Sequence, residues 1–308
     1  MTESLPAAHG HDHGLSADAD RRSLGIALGL IVGFLVLEVA TAFAARSLAL
    51  LADAGHMLTD AGAIGTSLVA ARLAARPPSE THTFGFKRAE IISAATNGVT
   101  LLLVAALVVY EAVRRLIHPP AVHGTVLVVV AAVGVAVNLA ATASLSRANR
   151  RSLNVEGAFQ HIVTDLYAFI ATVVAGVVIL ATGFRRADPI ASLMVVALMV
   201  RAAVGLLRPT LRILVEATPE DMEIAEVRRH ILELHEVVSV HDLHAWTLTS
   251  GLPVLSAHVV VTDECISAGT SARLLDHLQE CLAGHFDVEH STFQLEPVGH
   301  AEHETGMH

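Results

Sequence analysis

The sequence contains few charged and few aromatic residues. Of its 308 residues, 16% are charged and 4% are aromatic, whereas 53% are hydrophobic, and the net charge at pH 7 is −10. The acidic balance makes nucleic acid an improbable partner. The low aromatic content argues against a carrier of organic cations, which would need a large aromatic-lined cavity. The composition indicates a membrane protein, with the lipid bilayer as a partner.

Lysine and cysteine are almost absent. The single lysine, Lys87, lies between Phe86 and Arg88, so no GxxxxGK[ST] phosphate-binding loop exists and transport is not driven by such an ATPase in this chain. Cys265 and Cys281 form no CxxC motif, and we interpret both as small buried residues. The sequence also lacks HExxH, the motif expected of an intramembrane metallohydrolase.

Apolar runs of the length of a spanning helix, roughly 20 residues, occur six times. They lie near residues 24–45, 48–72, 89–113, 124–146, 155–181 and 189–207. Six spans place both termini on one side of the bilayer. The short loops on that side carry the larger share of arginine and lysine, which predicts cytoplasmic termini. We expect a multi-pass protein of the bacterial inner membrane.

Two of these runs repeat one spacing of histidine and aspartate. His56 precedes Asp60 by four residues, and His161 precedes Asp165 by four. Residues four apart share a helix face, so two such helices can form a tetrahedral site of two nitrogens and two oxygens. This set suits Zn²⁺, whereas Mg²⁺ and Ca²⁺ take six or more oxygens. One copy alone is usually two polar residues with local partners, but matched ionisable groups at membrane depth indicate function.

Two further acidic residues lie within the spans. Glu38 is deep in the first span and Asp53 is near the start of the second. Each must face the helix bundle or a water-filled path. We expect them to line the ion route, with hydrogen bonding between helices as the alternative.

The composition becomes soluble from about Pro209 onwards. The residues at 218–221 predict a helix start, and leucines at helical spacing predict a second helix after 271. Strands are predicted at 237–248, 253–262 and 291–296. The order α-β-β-α-β predicts a small, metallochaperone-like α+β domain. The predicted organisation is a histidine-containing N-terminal tail (1–21), a membrane α-helical bundle of six transmembrane helices (22–208), a cytoplasmic α+β domain (209–297) and a disordered tail (298–308).

Four stretches together resemble the cation diffusion facilitator family of zinc exporters, over about residues 22–297. They are LADAGH at 51–56 with Asp60, TFGFKRAE at 83–90, GAFQH at 157–161 with Asp165, and VHDLHAW at 240–246. The resemblance implies a homodimer of six-helix subunits, joined by cytoplasmic domains, that exchanges a divalent metal for protons by alternating access. Members with histidine and aspartate on both helices resemble the zinc-preferring branch.

Proton exchange also follows from the chemistry of the predicted ligands. Zn²⁺ needs neutral imidazoles and ionised carboxylates, so its binding must release protons, and histidine titrates near physiological pH. We therefore expect a secondary transporter and not an enzyme: a proton-coupled antiporter that exports Zn²⁺, with Cd²⁺ or another divalent metal as further cargo. The alternatives are a membrane-bound zinc sensor without transport and an intramembrane metallohydrolase.

The resemblance implies a regulatory zinc site in the soluble domain. The matching positions are His241, His258 and Glu296, with His290 as a fourth candidate. His290 and Glu296 are roughly 20 Å apart on an extended strand, so both can bind one ion only if the chain bends. Some relatives have histidine in place of Gln294. Ordinary surface histidines are the alternative.

A charge pair is the last feature that the resemblance implies. Arg88 and Glu216 match positions that link the membrane domain to the tail in a relative, and their opposite charges are retained. Surface ion pairs contribute little stability, so the expected effect is small.

Overall fold

A computed structural model of the chain describes the backbone of residues 13–44, 48–118, 124–146, 148, 152–288 and 290–300. Side chains are described over the same ranges except at 13–21, 41–44, 48–56, 59, 124, 126 and 127. The chain divides into two compact units, with the boundary between Leu207 and Arg208.

Six long helices form the first unit and lead into the second. They are α1 (His13–Ala44), α2 (Leu48–Ala74), α3 (Ala89–Ile117), α4 (Gly124–Leu145), α5 (Leu153–Thr182) and α6 (Ala187–Leu214). Within the described residues, five of them contain an apolar stretch long enough to cross a bilayer. The remaining one, α2, has 27 residues, or about 40 Å of helix. The prediction of a six-helix membrane bundle is confirmed.

Apolar side chains pack these helices together in two clusters. One cluster joins α1, α2, α4 and α5 through residues such as Ile31, Ile64 and Ile162. The other joins α3 to α6 through Leu101 and Met199. Small residues permit close approach between α4 and α5, because a Cβ added at Gly134 would lie 2.5 Å from ring carbons of Phe169.

A buried amide network links α2, α3 and α5. The Asn97 amide nitrogen donates to the Ser67 hydroxyl at 2.9 Å. The Asn154 amide nitrogen donates to the Ser67 backbone carbonyl at 2.7 Å. All three side chains are at most 1% exposed. Ser67 therefore holds one side chain from each of the two neighbouring helices.

The second unit contains a three-stranded sheet with helices. After α6 the elements are α7 (Ile224–Leu232), β1 (Val237–Thr249), β2 (Leu252–Val261), α8 (Asp263–Ser267), α9 (Ser271–Phe286) and β3 (His290–Pro297). The strand order is β1-β2-β3, with β1 antiparallel and β3 parallel to β2. Alternate residues of β2, such as Leu255 and Val259, form a buried core with Ile231 of α7 and Leu278 of α9. The predicted α+β domain is confirmed.

Two local predictions for this unit need correction. The helix expected to start near Thr218 begins only at Ile224; the preceding residues form a turn in which the Met222 amide donates to the Pro219 carbonyl at 3.2 Å. The five-residue helix α8 was not predicted. It starts where the Thr262 hydroxyl accepts from the Cys265 amide at 3.4 Å, the arrangement of a helix N-cap.

Candidate metal centres

Among its described side chains, the membrane unit contains one buried cluster of metal-binding residues. Asp60 of α2 is 2% exposed, and His161 and Asp165 of α5 are 1% and 7% exposed. His161 Nε2 lies 2.8 Å from Asp60 Oδ1 and 3.8 Å from Asp165 Oδ2. One ligand atom from each residue lies within 4.8 Å of the others. Two helices far apart in sequence thus present an imidazole and two carboxylates to one point.

These distances fit a small tetrahedral ion. Zinc bonds to histidine nitrogen and carboxylate oxygen are about 2.0–2.2 Å long, so two ligand atoms of a tetrahedral site lie about 3.3 Å apart. The separations of 2.8 and 3.8 Å lie on either side of that value. Because a carboxylate only accepts hydrogen bonds, the imidazole donates its Nε2 hydrogen to Asp60 in this arrangement. That hydrogen occupies the direction that a bound ion would take.

The remaining residues of the predicted membrane site are described to different extents. His56 lies in α2, one helical turn before Asp60, and Asp53 lies one turn earlier, but their side chains are outside the described residues. Glu38 of α1 is described and is 3% exposed. Asp60, His161 and Asp165 are therefore brought together, and His56 as the fourth ligand stays a prediction.

Packing on both helices fixes the position of this cluster. Met57 and Ile64 on α2 and Ala158 and Ile162 on α5 are almost fully buried in a single apolar cluster. The amide network lies seven residues from the metal-binding side chains on both helices, since Ser67 follows Asp60 and Asn154 precedes His161 by that number. Seven residues correspond to about 10 Å along a helix. The two helices are thus held together by hydrogen bonds about two turns from the metal-binding side chains.

The C-terminal unit contains a second cluster, on the sheet. His241 of β1 pairs with His258 of β2, so the two side chains are neighbours, and their ring centroids are 5.1 Å apart. Glu296 of β3 is 1% exposed and reaches both rings. His241 Nε2 lies 3.1 Å from Glu296 Oε2, and His258 Nδ1 lies 2.8 Å from Glu296 Oε1. Three predicted ligands therefore converge, one from each strand.

Two residues differ from the predicted set for this cluster. Asp242, which sequence reasoning missed, offers a ligand atom within 4.8 Å of those of His241 and His258. It has a positive φ of 45° where the pairing of β1 with β2 is interrupted after His241. His290 is not brought in, because β3 is continuous and pairs His290 with Val254 at the other end of the strand. The bend that His290 would need in order to share an ion with Glu296 is absent from this strand.

The two residues of the predicted charge pair belong to different units. Arg88 precedes α3 in the first unit and Glu216 follows α6 in the second. Both make interactions within the structure. Their mutual pairing stays a prediction.

Two family models match the chain along most of its length. The first, described as the cation efflux transmembrane domain, matches residues 24–215. The second, described as the cation efflux protein cytoplasmic domain, matches residues 219–298. The first model alone covers more than half of the chain and contains all six long helices from residue 24 onwards.

Relatives with assigned names are similar over nearly their full length. The cadmium, cobalt and zinc/H⁺-K⁺ antiporter of Bacillus velezensis is 36% identical over 293 residues, which is 94% of this chain and 93% of the relative. The metal cation efflux system protein CzcD of Cupriavidus metallidurans is 38% identical over 292 residues, 95% and 90% of the two chains. The zinc transporter ZitB of Escherichia coli is 37% identical over 294 residues, 94% and 92%.

Proposed function

This chain belongs to the cation efflux family, and we propose that it exports Zn²⁺ from the cytoplasm across the bacterial inner membrane in exchange for protons. Membership makes it a multi-pass membrane transporter of metal cations. The observation that carries the finer proposal is the buried cluster of Asp60, His161 and Asp165 between α2 and α5. A buried imidazole with two carboxylates has the chemistry to bind a divalent cation inside the membrane unit.

The donor set favours zinc over the hard divalent cations. An imidazole nitrogen and carboxylate oxygens in a small site suit Zn²⁺, whereas Ca²⁺ and Mg²⁺ need more oxygen ligands. The names of the three relatives given above include zinc in two cases and cadmium and cobalt in one. We therefore infer Zn²⁺ as principal cargo, with Cd²⁺ and Co²⁺ as further substrates. His56 completes the site as its fourth ligand.

Proton coupling follows from competition for one atom. Zinc needs the lone pair of His161 Nε2, and in the metal-free chain this nitrogen holds the hydrogen that it donates to Asp60 at 2.8 Å. Zinc binding must displace that hydrogen: from a neutral imidazole it moves to Nδ1, whereas a doubly protonated imidazole releases a proton to solvent. The doubly protonated site therefore competes with zinc, and a proton that arrives from the other side of the membrane displaces the metal. Alternating access lets the two events occur on opposite sides. Glu38 and Asp53 belong to the proposed ion route.

The second unit has a regulatory role in this proposal. His241, His258 and Glu296 bind a further Zn²⁺, and two copies of the chain associate through the cytoplasmic domain. Both termini are cytoplasmic. Arg88 and Glu216 stay the predicted pair of opposite charges.

Transport into vesicles tests the proposal. Purified protein is reconstituted into vesicles that contain a zinc-sensitive dye, and zinc is added outside while the lumen is more acidic than the bath. We expect uptake by the unaltered chain and a loss of at least about tenfold for Asp60→Asn and Asp165→Asn. Asp188→Asn is the matched control, because Asp188 pairs with Arg115 at 3.4 Å, away from the cluster. Uptake that is absent from the unaltered chain, or unchanged by both site substitutions, would contradict the proposal, and the first result would favour a zinc sensor.

A further inference from the structure

The buried amide network shares helix faces with the cluster of metal-binding side chains in the membrane unit. On α2, Ala63 lies three residues after Asp60 and four residues before Ser67. Residues at these spacings lie on one face of a helix. On α5 the same spacing recurs in the opposite direction, with Ala158 between Asn154 and the metal-binding histidine. Each of the two helices therefore presents a metal-binding residue, an alanine and a network residue in one line.

The network lies at the end of the membrane unit from which α6 leads into the C-terminal unit. A Cβ added at Gly157 of α5 would lie 3.0 Å from Leu206 and 3.5 Å from the Asn97 amide nitrogen. One added at Gly98 of α3 would lie 2.6 Å from Leu207, the last residue of the first unit. Helices α3, α5 and α6 therefore pack closely beside the network, and its three side chains are at most 1% exposed. Solvent does not reach them in this conformation, so the bundle is closed at this level.

Three buried oxygen atoms around the network have no hydrogen-bond partner among the described residues. They are the amide oxygens of Asn97 and Asn154 and the hydroxyl of Ser93, which lies one helical turn before Asn97 on α3. A buried polar atom without a partner loses its hydration and gains no bond in return. The closed arrangement pairs the two amide nitrogens but not these oxygens, and an open one would let water pair with both. Such a contact is suited to opening and closing.

We propose that the amide network is a gate between the metal-binding cluster and the side of the membrane that carries the C-terminal unit. While Ser67 accepts from Asn97 and Asn154, the gate is closed and an ion at the cluster does not exchange with that side. When both bonds break, α2 separates from α3 and α5, water fills the gap, and a hydrated cation reaches Asp60 and His161. The gate rests on the proposed function, since alternating access requires one closure on each side of the ion.

Thiol labelling tests the gate without a transport measurement. The full-length chain carries Cys265→Ser, Cys281→Ser and Ala63→Cys, so its only thiol lies between the network and the metal-binding cluster. A membrane-impermeant methanethiosulfonate is added to spheroplasts or to inside-out membrane vesicles, each of which exposes one side of the membrane, and the labelling rate is measured by mass spectrometry. Trypsin digestion of the C-terminal unit shows which preparation exposes the gated side.

We expect slow labelling of this chain from the gated side. Further substitution of Asn97→Ala or Asn154→Ala removes one bond to Ser67 and should speed labelling from the gated side roughly threefold, the average effect of a hydrogen bond between membrane helices. The double variant should be labelled faster still. Labelling from the opposite side should not become faster, because alternating access does not open both sides together.

Asn138→Ala is the matched control. Asn138 is also 1% exposed, and its amide oxygen also has no partner among the described residues. Its amide nitrogen, however, donates to the Gly134 carbonyl within α4 at 3.1 Å, so its substitution should leave both labelling rates unchanged. Thermal unfolding checks the Ala63→Cys chain, and Ala158→Cys offers the equivalent position on α5 if that chain does not fold.

Equal labelling rates with and without Asn97→Ala and Asn154→Ala would overturn the gate. So would faster labelling from both sides, which would mean that the substitutions loosen the whole bundle. Rapid labelling of the Ala63→Cys chain from the gated side, before any network substitution, would overturn it as well. A chain that does not take up zinc would contradict the proposed export, whereas the labelling rates report only on the gate, so the two failures are distinguishable.

Discussion

Buried carboxylates lie at the centre of both proposed metal sites. Asp60 is 2% exposed and Glu296 is 1% exposed, and each has an imidazole nitrogen within 3.1 Å. Burying an isolated, charged carboxylate costs several kcal/mol in lost hydration. The neighbouring histidines offset this cost. In the proposed function, a divalent cation takes over that stabilising role when it binds. The same residues would then serve both folding and metal binding.

Glu296→Gln tests this dual role at the residue scale. The substitution keeps the shape of the side chain and removes its charge, so zinc should bind the sheet cluster at least about tenfold more weakly. Zinc-dependent protection of β1, β2 and β3 from hydrogen exchange measures the binding. His290→Ala is the control and should have no effect, because His290 lies at the far end of β3. Equal loss of protection in both variants would place the ion elsewhere.

The pH dependence of Cys281 alkylation is a second prediction at this scale. Burial and the Glu233 carboxylate raise the pKa of the thiol, and the thiolate is the reactive form. The alkylation rate should be low at neutral pH. It should rise only at a higher pH than the rate of an ordinary exposed thiol does. Glu233→Gln should lower the pKa and speed alkylation at neutral pH. An unchanged rate profile in that variant would show that Glu233 does not act on Cys281.

At the scale of elements, close helix packing holds the membrane unit together. Gly134→Ala would place a Cβ 2.5 Å from the Phe169 ring, and such overpacking typically costs about 1–3 kcal/mol. We expect a lower unfolding temperature in detergent. Gly29→Ala is the control, because a Cβ there has nothing within 4 Å and alanine is the better helix former by up to about 1 kcal/mol. Equal stability of the two variants would contradict the described approach of α4 to α5.

The amide network offers a further prediction for the helices. Asn154→Ala removes the bond that reaches the Ser67 carbonyl from α5. Hydrogen bonds between membrane helices are worth about 0.6 kcal/mol on average, so a small but measurable fall in unfolding temperature is expected. Thr182→Ala is the control, since its exposed hydroxyl makes only local bonds, to the Val178 carbonyl and from the Phe184 amide, and reaches no other helix. A larger effect from the control would mean that the network does not join the helices.

The sequence predicted most elements because each has a periodic pattern. Apolar runs identified the spans, and alternate residues of β2 are buried, as Leu255, Ala257 and Val259 show. Helix α8 was missed because five residues carry no periodicity, although Thr262 followed by acidic residues was an available N-cap signal. The start of α7 was placed too early because Thr218 and Pro219 also favour a turn, which is what they form.

The sites were predictable to the extent that ligand spacing was local. The four-residue spacing on α5 predicted that His161 and Asp165 share a face, and the repeat of this spacing predicted that Asp60 would join them. Asp242 was missed because its contribution depends on the interrupted pairing of β1 after His241 and on a positive φ. Neither property can be read from alternation along a strand.

The surface of the whole membrane unit agrees with a bilayer environment. Large apolar side chains point outward from several helices, including Leu107, which is 67% exposed, and Met194, which is 70% exposed. Such surfaces on a water-soluble monomer would promote association. In lipid they face hydrocarbon, and the ionisable cluster is kept inside the bundle.

The proposed exchange of zinc for protons is tested on the whole molecule. We predict that zinc uptake into vesicles grows when the lumen is made more acidic than the bath, because lumenal protons then compete with zinc for His161. A proton ionophore that collapses the pH difference should reduce uptake, whereas a potassium ionophore at equal potassium concentrations should not. Uptake that is indifferent to the pH difference would show that the transported zinc is not exchanged for protons.

A zinc-edge anomalous diffraction map of the zinc-loaded chain tests the proposed transport site most directly. We predict a zinc peak within about 2.0–2.2 Å of His161 Nε2 and of one oxygen from each of Asp60 and Asp165, with His56 as the fourth ligand. A map with zinc elsewhere in the membrane unit and none between α2 and α5 would contradict the proposed site.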